Sequence, residues 1–223
     1  MPKLTTPDQV NLNYTDIGSG RPIVMIHGWP LSGAAFADNA KVLAAAGYRV
    51  ITYDRRGFGQ SGKPRDGYDY DTLAADLDAL LTGLDLHDVV LLGFSMGGGE
   101  VARYLATRGS ERVGAAILSG SICPALCITK DNPDGAMPRE GFQELADACA
   151  ADHAGFVDQF CGWFYSNDQG LTVPEEVRQQ AVEIARQSAP HAAVATILSW
   201  TEDLREDCRR LNQIGRASCR ERV

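Results

Sequence analysis

Apolar and polar positions alternate along Val10-Asn11-Leu12-Asn13-Tyr14, the period of a half-exposed antiparallel strand. After a turn at Gly18-Ser19-Gly20 the pattern becomes a continuous apolar run, Pro22–Ile26, as in a strand buried on both faces. Similar runs follow at Arg49–Tyr53, Val89–Leu92 and Val113–Leu118. Between them, apolar residues recur at helical spacing. One helix is predicted from about Phe36 to Ala46, with Gly47 as its stop. A second, Asp71 to Leu84, places Leu73, Leu77, Leu80, Leu81 and Leu84 on one face, with Asp71 as N-cap. A third runs from Gly98 to Ala106. Strands alternating with helices predict an α/β protein, a mostly parallel sheet with helices on both faces.

The pattern changes after Ser121. Pro124, Asn132-Pro133-Asp134-Gly135 and Pro138 make an irregular entry. Helical segments are then predicted at Glu140–Ala151, Ala154–Tyr165, Glu175–Gln187 and His191–Leu204, with no β-branched strand among them. Such an excursion predicts a helical cap over the carboxyl edge of the sheet. The expected organisation is a core over 1–120, a cap over 121–200 and a return to the core over 201–213. Phe156, Phe160 and Phe164 stand at i, i+4 and i+8. Core packing is the favoured reading of this stripe. A cap has two apolar sides, which leaves room for some of these rings, or Trp163, to face a site.

Composition narrows the function. A chain of 223 residues can bury one sizeable α/β core. A net charge of -8 argues against nucleic acid or an anionic membrane surface as partner. No apolar run is long enough to span a bilayer, and Met1–Thr6 carries no secretory signal, so a cytoplasmic location is expected. The six cysteines, Cys123, Cys127, Cys149, Cys161, Cys208 and Cys219, are read as reduced thiols. Cys123 and Cys127 lack a second Cys/His pair at zinc-binding spacing, so they are read as small core or surface thiols, and no metal is expected.

The chemistry is concentrated at Gly93-Phe94-Ser95-Met96-Gly97, which follows a predicted buried strand and opens a helix. Strand, G-x-S-x-G, helix is the context of a nucleophile elbow. The serine must occupy a sharp, strained turn, and a side chain two residues to either side would collide with the neighbouring strand or helix. The turn lifts the Ser95 hydroxyl above the sheet. It also aims the Met96 N–H at the place where negative charge develops.

Three stretches together carry a family resemblance: His27-Gly28-Trp29-Pro30, Tyr53-Asp54-Arg55-Arg56-Gly57-Phe58-Gly59-Gln60-Ser61, and Gly93 through Tyr104. With them the chain, from about Leu4 to Leu211, resembles the α/β-hydrolase superfamily, and within it the cofactor-free (non-haem) haloperoxidase and aryl-esterase branch. The resemblance implies that Ser95 is the nucleophile and that the backbone N–H groups of Trp29 and Met96 form the oxyanion hole. His27, Gly28, Gly93 and Gly97 would support them. His27 belongs to the oxyanion stretch and is read as bracing that loop rather than as a base. Trp29 could also line the acyl pocket with its ring. The substrate implied is a small carboxylic ester or acid. If hydrogen peroxide replaces water, a peracid results that can oxidise halide. No metal, haem or other cofactor is implied. Dehalogenase chemistry on this fold would place a carboxylate at the elbow, and Ser95 argues against it.

In this superfamily the triad runs Ser, then Asp or Glu, then His. The histidines after Ser95 are His153 and His191, both at helical positions and both read as structural or surface residues. The segment after Leu118 reads Ser119-Gly120-Ser121, without a carboxylate. The acid and base are therefore expected beyond Gln213. Ile214 to Val223 has no strand or helix pattern and resembles one translated frame of a common short-read sequencing adapter. The expectation is that 214–223 are non-native and that the final strands are missing. Loss of triad members typically lowers turnover by about 10⁴ to 10⁶. The chain as written is accordingly expected to be an inactive serine hydrolase. The alternative is a non-catalytic binding protein on a hydrolase scaffold. A nucleotide site is set aside, because neither Gly57-Phe58-Gly59 nor Gly97-Gly98-Gly99 fits a phosphate-binding motif.

Overall fold

The computed structural model describes residues 2–211 and the backbone of 217–219. In chain order the elements are β1 (Lys3–Thr5), β2 (Asn11–Gly18), β3 (Pro22–Ile26), a 3₁₀ turn (Gly33–Phe36), α1 (Ala37–Ala45) and β4 (Arg49–Tyr53). Then come α2 (Tyr70–Gly83), β5 (Val89–Phe94), α3 (Met96–Arg108) and β6 (Val113–Ser119). The rest is α4 (Arg139–Ala151), α5 (His153–Phe164), a short hairpin of β7 (Ser166–Asn167) and β8 (Gly170–Leu171), α6 (Glu175–Ala185), α7 (Pro190–Ser199), α8 (Arg205–Arg210) and β9 (Ala217–Cys219).

The main sheet is seven-stranded in the order β1-β2-β4-β3-β5-β6-β9. β1 and β2 pair antiparallel, β2 joins β4 antiparallel, and the remaining pairs are parallel. Central β3 and β5 are adjacent, with Ile26 opposite Gly93, so both strands end side by side at one edge. That edge is where an open α/β sheet gathers its chemistry.

Two layers sandwich the sheet. On one face Leu77, Leu80, Leu81, Val101 and Leu105 form a core with Val24, Ile51 and Leu91. On the other, Ala40 of α1 packs on Ile23, Met25 and Val50. A third cluster lies above the carboxyl edge. There Trp29, Leu31, Phe58, Tyr70 and Met96 pack with Ala146, Phe156, Val157, Val182, Ala193 and Ile197 of α4 to α7.

Several local expectations change. The N-cap of α2 is Asp69, whose Oδ1 accepts from the Thr72 N–H at 2.8 Å. Asp71 sits instead in the first turn, where its carboxylate pairs with Arg103 at 2.6 Å. The helix predicted from Phe36 opens as the 3₁₀ turn at Gly33–Phe36, with the Ser32 hydroxyl as its cap. The helical excursion contains the small hairpin Ser166–Leu171, which the absence of β-branched residues had concealed. The tail at 214–223 was read as patternless, yet Ala217–Cys219 pairs parallel to Ile117–Ser119. An edge strand offers unpaired N–H and C=O groups to any extended segment, so this pairing needs no apolar period. The remaining tail residues lie outside the described ones.

Candidate active site

Ser95 stands at the junction of β5 and α3 with φ 52° and ψ -118°, a left-handed backbone that costs a non-glycine residue about 1–3 kcal/mol. Packing on both sides holds it there. A Cβ on Gly93 would lie 2.5 Å from the Gly97 carbonyl oxygen, and one on Gly97 would collide with the Ile26 carbonyl oxygen of β3. A Cβ on Gly28 would lie 3.0 Å from the Ser95 Cβ, which measures how tightly the 27–30 loop lies against the turn. The Ser95 N–H donates to Ser119 O at 3.0 Å, and its carbonyl accepts from Gly98 N at 3.0 Å and Ile122 N at 3.3 Å. Met96 is the first residue of α3, so its N–H has no partner within the helix and faces out at the positive end of the helix dipole.

A small cavity of about 20 Å³ opens on Ser95. Trp29, Phe94, Phe160 and Phe164 are among its walls. The Trp29 ring is fixed by its Nε1–H, which donates to Ala193 O at 3.1 Å, and by edge contacts to Phe160 and Trp200 at 4.7 and 5.3 Å. The phenylalanine stripe thus divides. Phe156 is buried in the layer between helices and strands, while Phe160 and Phe164 line the cavity. Trp163 is 55% exposed and touches Phe156 edge-on rather than facing Ser95. A larger open cleft of about 510 Å³, near Lys63, Arg186 and His191, shares no residue with the Ser95 cavity.

Below the turn lies a buried polar network that sequence reasoning missed. Arg55 and Glu100 have fully buried side chains and pair Nε to Oε2 at 2.9 Å. Tyr53 donates its hydroxyl to the other Glu100 oxygen. Arg55 also donates from Nη2 to the His27 carbonyl at 2.9 Å. The buried His27 Nε2 accepts from the Arg55 N–H at 3.0 Å, and Nδ1 contacts Gly28 O at 2.9 Å. With a proton on Nδ1 both ring nitrogens are satisfied, so the imidazole is neutral and holds the 27–30 loop. Burial, reinforced by the Arg55 charge, keeps His27 well below its ordinary range. Burial also raises the Glu100 carboxyl well above its range and lowers Arg55 to about 10. The available signal was a charge set in an apolar helix run, Gly97-Gly98-Gly99-Glu100-Val101-Ala102.

The Gly-rich loop after β4 has its own organiser. The buried Asp54 carboxylate accepts from Gly33 N at 2.9 Å, Gln60 N at 2.8 Å and Asn13 Nδ2 at 2.9 Å. Arg56 forks onto Asp76 and Asp8 at 2.6 and 2.9 Å.

The sequence has four histidines, and each is engaged away from Ser95. His27 braces its loop. His87 contacts Asp85 at 3.0 Å, His153 contacts Ser188 Oγ at 2.9 Å, and His191 contacts Pro64 O at 2.7 Å. Among the described residues the Ser95 hydroxyl has no hydrogen-bond partner.

Comparison with known proteins agrees with this geometry. The model of a family described as the alpha/beta hydrolase fold matches residues 21–185. A non-heme chloroperoxidase of Kitasatospora aureofaciens is 47% identical over 176 residues, covering 78% of this chain and 64% of that protein. The crystal structure of a bromoperoxidase from Bacillus anthracis superposes with a TM-score of 0.90 at 39% identity, covering 95% of this chain and 78% of the other. An esterase from Exiguobacterium antarcticum superposes with a TM-score of 0.88 at 31% identity, covering 97% and 78%. The chain thus spans about two thirds to four fifths of the length of these relatives. Among the described residues, no helix is long and apolar enough to cross a membrane. The chain belongs to the α/β-hydrolase fold family, in the branch that holds non-haem haloperoxidases and esterases.

Proposed function

We propose that Ser95 is the nucleophile of a serine esterase acting on small carboxylic esters through an acyl-enzyme. The observation that carries this reading is the Ser95 backbone, at φ 52° between a parallel strand and a helix N-terminus. Strain of this kind persists where the surrounding packing over-determines it and the geometry is used. The serine oxygen attacks the ester carbonyl, and the N–H groups of Trp29 and Met96 receive the oxyanion. One such donor is worth about 2.7–4 kcal/mol. Collapse expels the alcohol, and water then releases the acid. If hydrogen peroxide attacks instead, the acyl group leaves as a peracid, the reagent for halide oxidation. Residues 121–200 serve as a cap over the core of 1–120, and its Phe160 and Phe164 wall the acyl side.

A serine becomes a strong nucleophile only with a base beside it. Every histidine is engaged away from Ser95, so the 223-residue chain is proposed to turn over esters negligibly. Two measurements test the two halves of this reading. Prolonged incubation with a fluorophosphonate probe, followed by peptide mapping, is expected to label Ser95 slowly and selectively, with no label in Ser95→Ala. Label spread over other serines, or unchanged in Ser95→Ala, overturns the nucleophile. Hydrolysis of p-nitrophenyl acetate is expected at background. Robust turnover that Ser95→Ala abolishes overturns the missing base and leaves the nucleophile standing.

A further inference from the structure

The open cleft of about 510 Å³ has no part in the ester chemistry. Its volume falls in the range of about 300–1,000 Å³ usual for small-molecule sites. One wall is the end of the Gly-rich loop, from Gly59 to Lys63, and the other is the corner between α6 and α7, from Arg186 to His191. Bonds across the junction fix the two walls relative to each other. Gln60 Nε2 donates to Gln187 Oε1 at 3.1 Å, Lys63 Nζ to Gln187 O at 2.7 Å, and the Ala189 N–H to Gly57 O at 2.8 Å.

The charge of this lining runs against that of the chain. The sequence has 29 acidic residues against 21 basic ones, yet the cleft is lined by Lys63, Arg186 and His191 and by no carboxylate. Both cations keep unused donors. Lys63 uses one of its three N–H groups, on the Gln187 carbonyl, and among the described residues it pairs with no carboxylate. Arg186 uses one of its five, on Asp158 at 3.3 Å, and Asp158 is already held by Arg178. Asp152 is turned away, accepting from the Gly155 N–H at 2.9 Å as the cap of α5. The field reaches into the wall itself. His153, which contacts Ser188, is lowered by burial first and then by the Lys63 charge, against the pull of Asp152. The His191 N–H adds a neutral donor. It stands second in α7, so it has no acceptor within the helix, and no side chain caps that end.

We propose that this cleft binds a phosphate group carried by a small molecule, clamped between Lys63 on the Gly-rich loop and Arg186 at the end of α6. Two cations without a carboxylate between them match a dianion, whereas a single carboxylate would leave one of them uncompensated. Lys63 offers a compact point charge, and the Arg186 guanidinium offers a planar fork for two phosphate oxygens. Because the two clamps stand on opposite walls, a bound phosphate adds a further bridge between the loop and the α6–α7 corner. The cleft shares no residue with the Ser95 cavity, so the inference does not depend on the role of Ser95.

Thermal melts of the folded chain test it, with inorganic phosphate replacing chloride at constant ionic strength in mildly alkaline buffer. A ligand that binds only the folded state raises the melting temperature in step with its concentration relative to Kd. The wild-type melting temperature is expected to rise with phosphate and to stay level with acetate. Lys63→Gln and Arg186→Gln should each need at least about tenfold more phosphate for the same rise. Arg186 is 51% exposed and such a surface pair contributes little to folding, so Arg186→Gln carries the test even if Lys63→Gln loosens the corner. An equal rise in wild type and Arg186→Gln would be the general stabilisation of a surface-excluded salt, and it overturns the site. An equal rise with acetate overturns the dianion, and no rise in wild type overturns the proposal outright.

Discussion

Arg55 and Glu100 meet 2.9 Å apart with no solvent exposure on either side chain, directly beneath the Ser95 turn. Arg55 reaches the loop of Trp29 through the His27 carbonyl, and Glu100 belongs to the helix that Met96 opens. The two backbone donors proposed for the oxyanion therefore sit on segments tied together by one buried ion pair. A hydrophobic pair of similar volume could match its stability, but not the directed bonds to His27 and Tyr53.

Glu100→Ala leaves a guanidinium buried without a counter-charge. Breaking such a pair by removing one partner costs about 3–5 kcal/mol. Chemical denaturation of Glu100→Ala should show a loss in that range. Glu100→Gln, which keeps acceptor and shape, should lose less. Arg55→Met combined with Glu100→Leu should lose less than the sum of its single variants, because the residues touch. A loss below about 1 kcal/mol in Glu100→Ala would show that the pair is not what joins these segments.

The strands around this network were legible for a simple reason. β3 and β4 are buried on both faces after their first residues, β5 alternates buried with half-buried positions, β6 is mostly half-buried, and all four read as largely apolar runs. The elbow was legible because its glycines are demanded by contacts one turn away. The ion pair was not, since its members stand 45 residues apart and neither breaks the local period strongly. The cap of α2 was misplaced by two residues. Asp69 and Asp71 are equivalent on composition, and only the extended backbone at Asp69 makes it the acceptor. The docking of α8, through Asp207 on Arg103 and the Leu204 N–H on Pro124 O, depends on how the chain returns to the core. No one-dimensional pattern encodes that return.

His27 gives a pH dependence with a definite sign. In the unfolded chain its pKa is about 6.5. In the folded chain burial and Arg55 hold it well below that. Between the two values the unfolded state binds the proton and the folded state does not, so stability falls as pH falls through about 6.5. The loss per pH unit inside that window is about 1.4 kcal/mol for one such group. Glu100, raised by burial, contributes with the opposite sign, and His153, lowered by burial, with the same sign. The measurement is therefore a difference. Urea midpoints of wild type and His27→Gln are compared from about pH 7.5 to about pH 5.5. The variant should lose less stability across that range, and parallel curves would mean that His27 titrates normally in the folded protein.

Two glycine-to-alanine changes should act in opposite directions, and the reason is local space. At Gly97 the new methyl would collide with the Ile26 carbonyl oxygen, a backbone atom of a central strand that cannot turn aside. Overpacking of this kind costs about 1–3 kcal/mol, and relief requires α3 to shift away from β3. At Gly162, inside α5, no atom lies within 4 Å of the new methyl and φ is not left-handed. There the alanine gains helix propensity, about 0.5–1 kcal/mol. Thermal melts should fall for Gly97→Ala and rise slightly for Gly162→Ala. The fluorophosphonate reaction adds a readout that stability alone would not move. A folded Gly97→Ala protein should lose labelling at Ser95, because the shift of α3 carries the Met96 N–H away from the Trp29 loop. Gly162→Ala should label at the wild-type rate. If Gly97→Ala melts like wild type and still labels Ser95, the turn is not held by contact with β3.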